Sequence, residues 1–349
     1  MIYNMKYLSL IFIIILCVNT FAQKTLQVEG EKHLKNIKQL TFGGENAEAY
    51  FSFDGKKLIF QSKRDQLQCD QIFSMNIDGS DVKRISNGEG RTTCSYFLKG
   101  GKKVIYASTF MGKKECPPNP DFSKGYVWAI YPDYDIYVAN SDGTNIKKLT
   151  DSPGYDAEAT VSPNGKKIIF TSERDGDLEL YSMDIDGKNI KRLTNEPGYD
   201  GGAFFSPDNK MIVYRGSHPT DAKLVQRDKE LLAQHLIVPT VFEVWTMNAD
   251  GTNKRQVTKL NAASFAPFFT PDGKKIIFCT NYFATDQRKR NFDLAMINVD
   301  GSGLERVTFN ESFDGFPMFS PDGKKLVFAS NRNQAKDGDT NVFIADWVE

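Results

Sequence analysis

Histidine is nearly absent: His33, His218 and His235 are the only three in 349 residues. That scarcity leaves little from which to build a histidine metal centre, and no H-E-x-x-H motif occurs. No G-x-S-x-G elbow is present either, so the strand–turn–helix nucleophile of a serine hydrolase is missing. No two cysteines form a C-x-x-C pair, which argues against a zinc site. Net charge is also lacking, because 44 basic side chains balance 44 acidic ones. Nucleic acid and anionic membrane both reward a basic surface, so neither is the expected partner. Beyond residue 18 there is no run apolar enough to cross a membrane.

The one long apolar run lies at the start. Lys6 precedes Tyr7–Val18, and small residues follow at Thr20 and Ala22. The run of about a dozen residues is shorter than a bilayer span. It reads as a signal peptide, residues 1–22, cleaved after Ala22, with the mature chain periplasmic or secreted. Cys17 is preceded by Leu16, where a lipoprotein signal wants a small residue. An exported chain meets oxidising conditions. Among Cys69, Cys94, Cys116 and Cys279, a Cys69–Cys116 bridge is the first choice. Other pairings with Cys94, or free buried thiols, stay open.

Aromatics are plentiful, with 26 Phe and 14 Tyr, which suits strands. Three phrases recur. The first is a turn followed by a short apolar strand, as in Ser52-Phe-Asp-Gly-Lys-Lys-Leu-Ile-Phe60 and Ser320-Pro-Asp-Gly-Lys-Lys-Leu-Val-Phe328. It starts at positions 52, 98, 162, 206, 270 and 320. The second is an apolar strand ending in Asp-Gly, as in Tyr181-Ser-Met-Asp-Ile-Asp-Gly187, a strong hairpin signal. The third is a short outer strand, as in Lys191-Arg-Leu-Thr194. Each unit therefore offers four strands, a to d. Four strands repeated about every 45 residues are the mark of a propeller blade.

The last unit stops at its strand c, Asn341–Trp347, while the folded part opens with an unattached strand d, Ile37–Thr41. That first strand is expected to complete the last blade and close the ring. The expectation is an all-β, six-bladed β-propeller over residues 37–347, after a short lead at 23–36. Blades 2 and 4 are longer than the others between strands b and c. Their inserts run over Met111–Tyr134 and Gly216–Thr240, and the second is expected to hold one short helix within Thr220–Leu236, with Leu224, Leu231, Leu232 and Leu236 on one face. Blade 5 carries a smaller insert, Tyr282–Asn291. Strand-b-to-c and strand-d-to-a loops share one face of such a ring, so the inserts crowd one channel mouth. Loops on a rigid scaffold are where binding usually lives.

Asp156-Ala-Glu-Ala-Thr-Val-Ser-Pro-Asn-Gly165, Ser172-Glu-Arg-Asp-Gly176 and Asp314-Gly-Phe-Pro-Met-Phe-Ser-Pro-Asp-Gly323 resemble the WD40-like (PD40) repeat of TolB propellers. The resemblance covers nearly the whole mature chain. It implies a propeller, export, and a protein or peptide bound at the channel mouth, with calcium in the channel as a family-level expectation. Similar propellers precede the hydrolase domain of prolyl-oligopeptidase-like peptidases, for which this chain has no room. Pectin lyases with such propellers use a His-rich metal site that three histidines do not supply. TolB carries a further N-terminal domain, whereas only Gln23 to about Asn36 precedes the first repeat here, so a Tol–Pal role is not expected.

The candidate site residues lie at the same mouth. Asn46, Thr92, Asp156, Asp200, Ser264 and Asp314 open the six a strands. The carboxylates of Asp156, Asp200 and Asp314 are expected to face the channel, where hard oxygen ligands suit calcium. Glu48 and Glu158 lie two residues further on, hence on the same strand face. These acids could instead receive a partner's Lys or Arg, or brace the loop by Asx turns. Arg64, Arg174, Arg215 and Arg332 end b strands, to pair with the acids or to bind an acidic group. His218 is the one candidate general base, with a solvated loop histidine as the alternative. The resulting expectation is a monomeric, non-catalytic binding propeller for a protein, peptide or glycan. The alternative is a hydrolase or lyase using His218 and the channel carboxylates.

Overall fold

Each first phrase folds into a tight a–b hairpin for a visible reason. In blade 1, Ser52 N–H donates to Lys57 O at 2.9 Å and Gly55 N–H to Ser52 O at 2.8 Å. The Ser52 hydroxyl donates to Asp54 at 2.6 Å and accepts from Lys57 N–H at 3.0 Å, while Gly55 takes φ 69°. The Asp-Gly phrase closes the c–d hairpin in the same way, with Gly79 N–H donating to Asn76 O at 2.9 Å. The computed structural model describes residues 26–123, 125–285 and 291–349. The expected signal segment 1–22 and the middle of the blade 5 insert lie outside the described residues.

Blade 1 consists of Glu45–Phe51, Lys57–Lys63, Gln71–Asn76 and Lys83–Arg84, hydrogen-bonded in that order. Five further four-stranded sheets repeat this antiparallel pattern. The second to fourth residues of each b strand are hydrophobic and buried, because a neighbouring blade covers each of their faces. Phe60, Phe170, Phe278 and Phe328 are all fully buried there, each contributing about 2 kcal/mol of apolar burial.

The ring is sealed as the chain-end pattern requires. Leu34–Gln39 pairs antiparallel with Asn341–Trp347, with Leu34 opposite Trp347 and Gln39 opposite Phe343. The contact continues to Thr41, whose hydroxyl accepts from Val342 N–H at 2.9 Å. The residues before this strand join the body as well. His33 stacks on Trp347 at 4.9 Å, and Glu31 is buried against Arg332.

Every a strand carries a bulge at the same place. Pairing with strand b shifts between Ala47 and Tyr50, Thr93 and Tyr96, Ala157 and Thr160, Gly201 and Phe204, Phe265 and Phe268, and Gly315 and Met318. Inside the bulges Glu48, Cys94, Glu158, Gly202, Ala266 and Phe316 all have φ between 50° and 58°. Five of the six are not glycine, so the ring holds backbone strain at its centre. The bulge breaks the two-residue alternation and re-aims one side chain per blade.

The two long inserts meet. Trp128–Ala129 of blade 2 pairs antiparallel with Leu236–Ile237 of blade 4, bridging over blade 3. The expected helix is shorter than Thr220–Leu236 and spans Ala222–Leu232, with Asp221 accepting from Lys223 N–H at 2.8 Å and Leu224 N–H at 3.1 Å as the N-cap. His235 takes φ 58°, which ends any helical continuation and turns Leu236 into the bridging strand. Leu236 therefore leaves the helix, and Leu224 is exposed while Leu232 is buried. Cys69 and Cys116 are disulfide-bonded, fastening the blade 2 insert to blade 1, and Cys94 and Cys279 are free.

Candidate functional site

The residues that open the a strands do not gather in the channel. All six are buried inside their own blades: Asn46, Asp156, Asp200 and Asp314 against the residue 18 positions later, and Thr92 and Ser264 against the hydroxyls of Ser108 and Thr280. Arg64 donates to Asn46 Oδ1 at 3.0 Å, and Arg174 to both oxygens of Asp156 at 3.1 Å. His218 Nε2 lies 2.7 Å from Asp200 Oδ1, and Arg332 donates to Asp314 Oδ2 at 2.8 Å. Asp156, Asp200 and Asp314 have at most 1% of their surface exposed. Burial raises the Asp200 and Asp314 carboxyls, and their cationic partners offset part of the rise.

The expected calcium set of Asp156, Asp200 and Asp314 does not fit a cation. An ion at any of them would meet Arg174, His218 or Arg332. Among the described residues no three His, Cys, Asp or Glu side chains come together to hold a metal.

This spacing also reassigns two residues. His218, not Arg215, is the blade 4 equivalent of Arg64, Arg174 and Arg332. It is not a solvated loop histidine: it packs on Trp245 at 4.6 Å and holds Asp200, with Glu196 and Glu179 acting on it from further away. Burial opposes its charge, yet Asp200 prevails and raises its pKa. Arg215 lies three positions earlier, on the side of strand b that faces inward. It crosses to blade 3 and donates to Glu158 Oε1 and to the Tyr199 hydroxyl. The Tyr199, Trp128 and Phe242 rings surround its guanidinium at 4.9, 5.6 and 5.7 Å. Gly202 makes that reach feasible, because a Cβ there would lie 2.1 Å from Arg215 Nη1.

The channel itself is lined by the six bulge residues. Glu48, Cys94, Glu158, Gly202, Ala266 and Phe316 surround a cavity of 40 Å³ together with Arg215 and Tyr50. Glu48 and Glu158 thus share the channel with each other, not a strand face with Asn46 and Asp156, because the bulge intervenes. Their states differ. Burial raises the Glu158 carboxyl, but Arg215, Thr171 and Tyr199 outweigh it and hold it below its usual range. Glu48 has no cation bonded to it, and Arg215 lowers it only from a distance. Burial first, then the Glu158 charge, push it up to about 7, against a hydrogen bond from Cys94. Just beyond, Tyr50, Tyr96, Phe204 and Phe268 meet ring to ring across the axis at 5.1 to 6.2 Å. They close the channel, so the acidic cavity opens toward the insert-bearing face.

That face also collects exposed apolar side chains. Of nine large ones exposed among the described residues, seven lie on its loops: Phe42, Met111, Phe122, Tyr126, Leu224, Val241 and Tyr282. The other two, Val82 and Ile190, lie on c–d turns. Sequence reading missed Cys94, Tyr199, Gly202 and Phe316. Counting four residues back from each turn position finds the channel ring, once a bulge in every a strand is assumed.

Residues 127–243 match the family model described as the TolB beta propeller domain. An uncharacterized protein of Agrobacterium fabrum is 27% identical over 122 residues, which are 35% of this chain and 34% of that one. The Tol-Pal system protein TolB of Bordetella pertussis is 45% identical over 42 residues, 12% of this chain and 10% of that one. The chain thus matches about a third of the first curated relative's length and a tenth of the second's. Among solved structures, TolB from Acinetobacter baumannii superposes with a TM-score of 0.57 at 16% identity, covering 87% of this chain and 63% of that one. An oligogalacturonate lyase in complex with manganese gives 0.51 at 14% identity, covering 90% and 93%. Likeness at such identities speaks to the fold alone. The chain is thus a six-bladed β-propeller that is similar to the propellers of TolB, with the family model matched over residues 127–243.

Proposed function

We propose that this protein is an exported binding propeller that engages a protein or peptide partner on its insert-bearing face. The observation that carries the reading is the segregation of exposed apolar side chains to that face, around an acid-lined channel mouth. Contiguous exposed apolar surface marks interaction sites. Tyr and Phe contribute large contact area at low entropic cost. Glu48, the channel acid without a cation of its own, suits a basic side chain of the partner, whereas Glu158 is already held by Arg215. Export rests on the leader-like residues 1–22. No helix among the described residues is long and apolar enough to cross a membrane.

The alternative, a hydrolase or lyase at the same face, draws on the likeness to the lyase fold. It has less support, because Asp156, Asp200 and Asp314 brace separate blades and His218 is committed to one of them.

A photo-cross-linking residue placed at Tyr126 or Tyr282 is expected to capture a partner in cells of the source organism. The same residue at Val82 or Ile190 is expected to capture none. Equal capture from both faces, or capture only from the second pair, would refute the assignment.

A further inference from the structure

The opposite end of the axis carries a second concavity, separate from the acidic cavity. Below the plug of Tyr50, Tyr96, Phe204 and Phe268, the a–b turns surround a funnel of 390 Å³. Its floor is Tyr96, Phe204, Phe268 and Met318. Its rim is set by the residue after each turn position: Phe53, Lys99, Pro163, Pro207, Pro271 and Pro321. Five of these six are apolar. The volume lies in the range of small-molecule pockets, which are mostly apolar with few polar groups fixing orientation.

Lys99 breaks the pattern. Its turn, Leu98-Lys99-Gly100-Gly101, has no acid, whereas Asp54, Asp208, Asp272 and Asp322 occupy the equivalent turns of blades 1, 4, 5 and 6. Those four acids are satisfied locally, each accepting from its own turn hydroxyl and from the backbone N–H two residues on. Lys99 folds over the rim along Gly165, and its ammonium reaches only the Pro163 carbonyl, at 3.4 Å. Among the described residues no carboxylate pairs with it. The rim therefore presents one cation without a carboxylate partner above an aromatic-floored pocket.

We propose that this funnel binds a medium-chain carboxylate, with its alkyl chain in the apolar well and its carboxylate on Lys99. The well supplies affinity by removing the chain from water, and the ammonium supplies orientation and the preference for an anion. The site lies on the face away from the inserts and does not depend on the partner proposed above.

The test uses decanoate and decylamine, titrated below their micellar concentrations into the purified mature protein and followed by calorimetry. Decanoate is expected to bind saturably at one site and more tightly than decylamine. Lys99→Glu, at an exposed position, is expected to weaken decanoate about tenfold and to favour decylamine. Phe53→Asp, at the rim, is expected to weaken both, with the melting temperature confirming that each variant is folded. Equal binding of the two ligands, decanoate binding that neither substitution alters, or no saturable binding would overturn the proposal.

Discussion

Blade 6 and blade 4 build the same joint from different chemistry. In blade 6 the guanidinium of Arg332 sits between Asp314 and Glu31, 2.8 Å from each, and all three side chains are nearly or fully buried. In blade 4 the equivalent place holds His218 on Asp200, and an arginine appears three residues earlier, where Arg215 crosses to Glu158. The guanidinium of the first joint stays charged, whereas the imidazole of the second titrates. The faithful repeat locks the seam of the ring. The departure from it sends a cation into the channel mouth, where binding is proposed.

The contrast can be broken most forcefully at Arg332. Arg332→Met leaves Glu31 and Asp314 facing each other without a counter-charge, and a loss of about 3–5 kcal/mol is expected in urea unfolding. His218→Ala removes one hydrogen bond from Asp200 in the less sealed joint, and the same measurement is expected to show about 1–2 kcal/mol.

Two subtler variants read the difference through pH. Glu48 titrates at about 7 in the fold against 4.5 when free. Its proton therefore stabilises the fold fully below pH 4.5, and that contribution fades as pH rises to about 7. Glu48→Gln is expected to remove this part of the decline in a stability curve taken from pH 4 to 8. His218 has a folded pKa above its free value of 6.5. Its contribution is full below that value and is lost as pH rises through the raised pKa. His218→Arg, which restores the residue of the other blades, is expected to flatten the curve above pH 6.5, the smallest of the four effects.

What the sequence made legible follows from what repeats. Six copies of the turn phrase, an unattached strand d at the start and a missing strand d in the last unit specify blade number and closure. Loop positions alone pointed to the Cys69–Cys116 bridge that the structure contains. The site was less legible, because counting along strand a assumes unbroken alternation. One bulge residue per blade overturns that count, leaving Glu48 and Glu158 in the channel but turning Asp156 into the blade interior. Arg215 was misgrouped for a related reason: it lies close to His218 in sequence, but only the 18-residue interval from Asp200 identifies the true brace. The strand joining Trp128 to Ile237 has no local signal, since two residues from inserts over a hundred positions apart find each other only in the assembled ring.

The closing strand sets how the toroid would respond to force. Leu34 lies directly opposite Trp347, so both chain ends leave the seam at the same point. A pull that separates those ends would load one pair of hydrogen bonds at a time, opening the seam as a zip fastener opens, instead of shearing all of them together. The stacked His33–Trp347 pair and the buried Glu31–Arg332 contact sit at that point and act as its clasp.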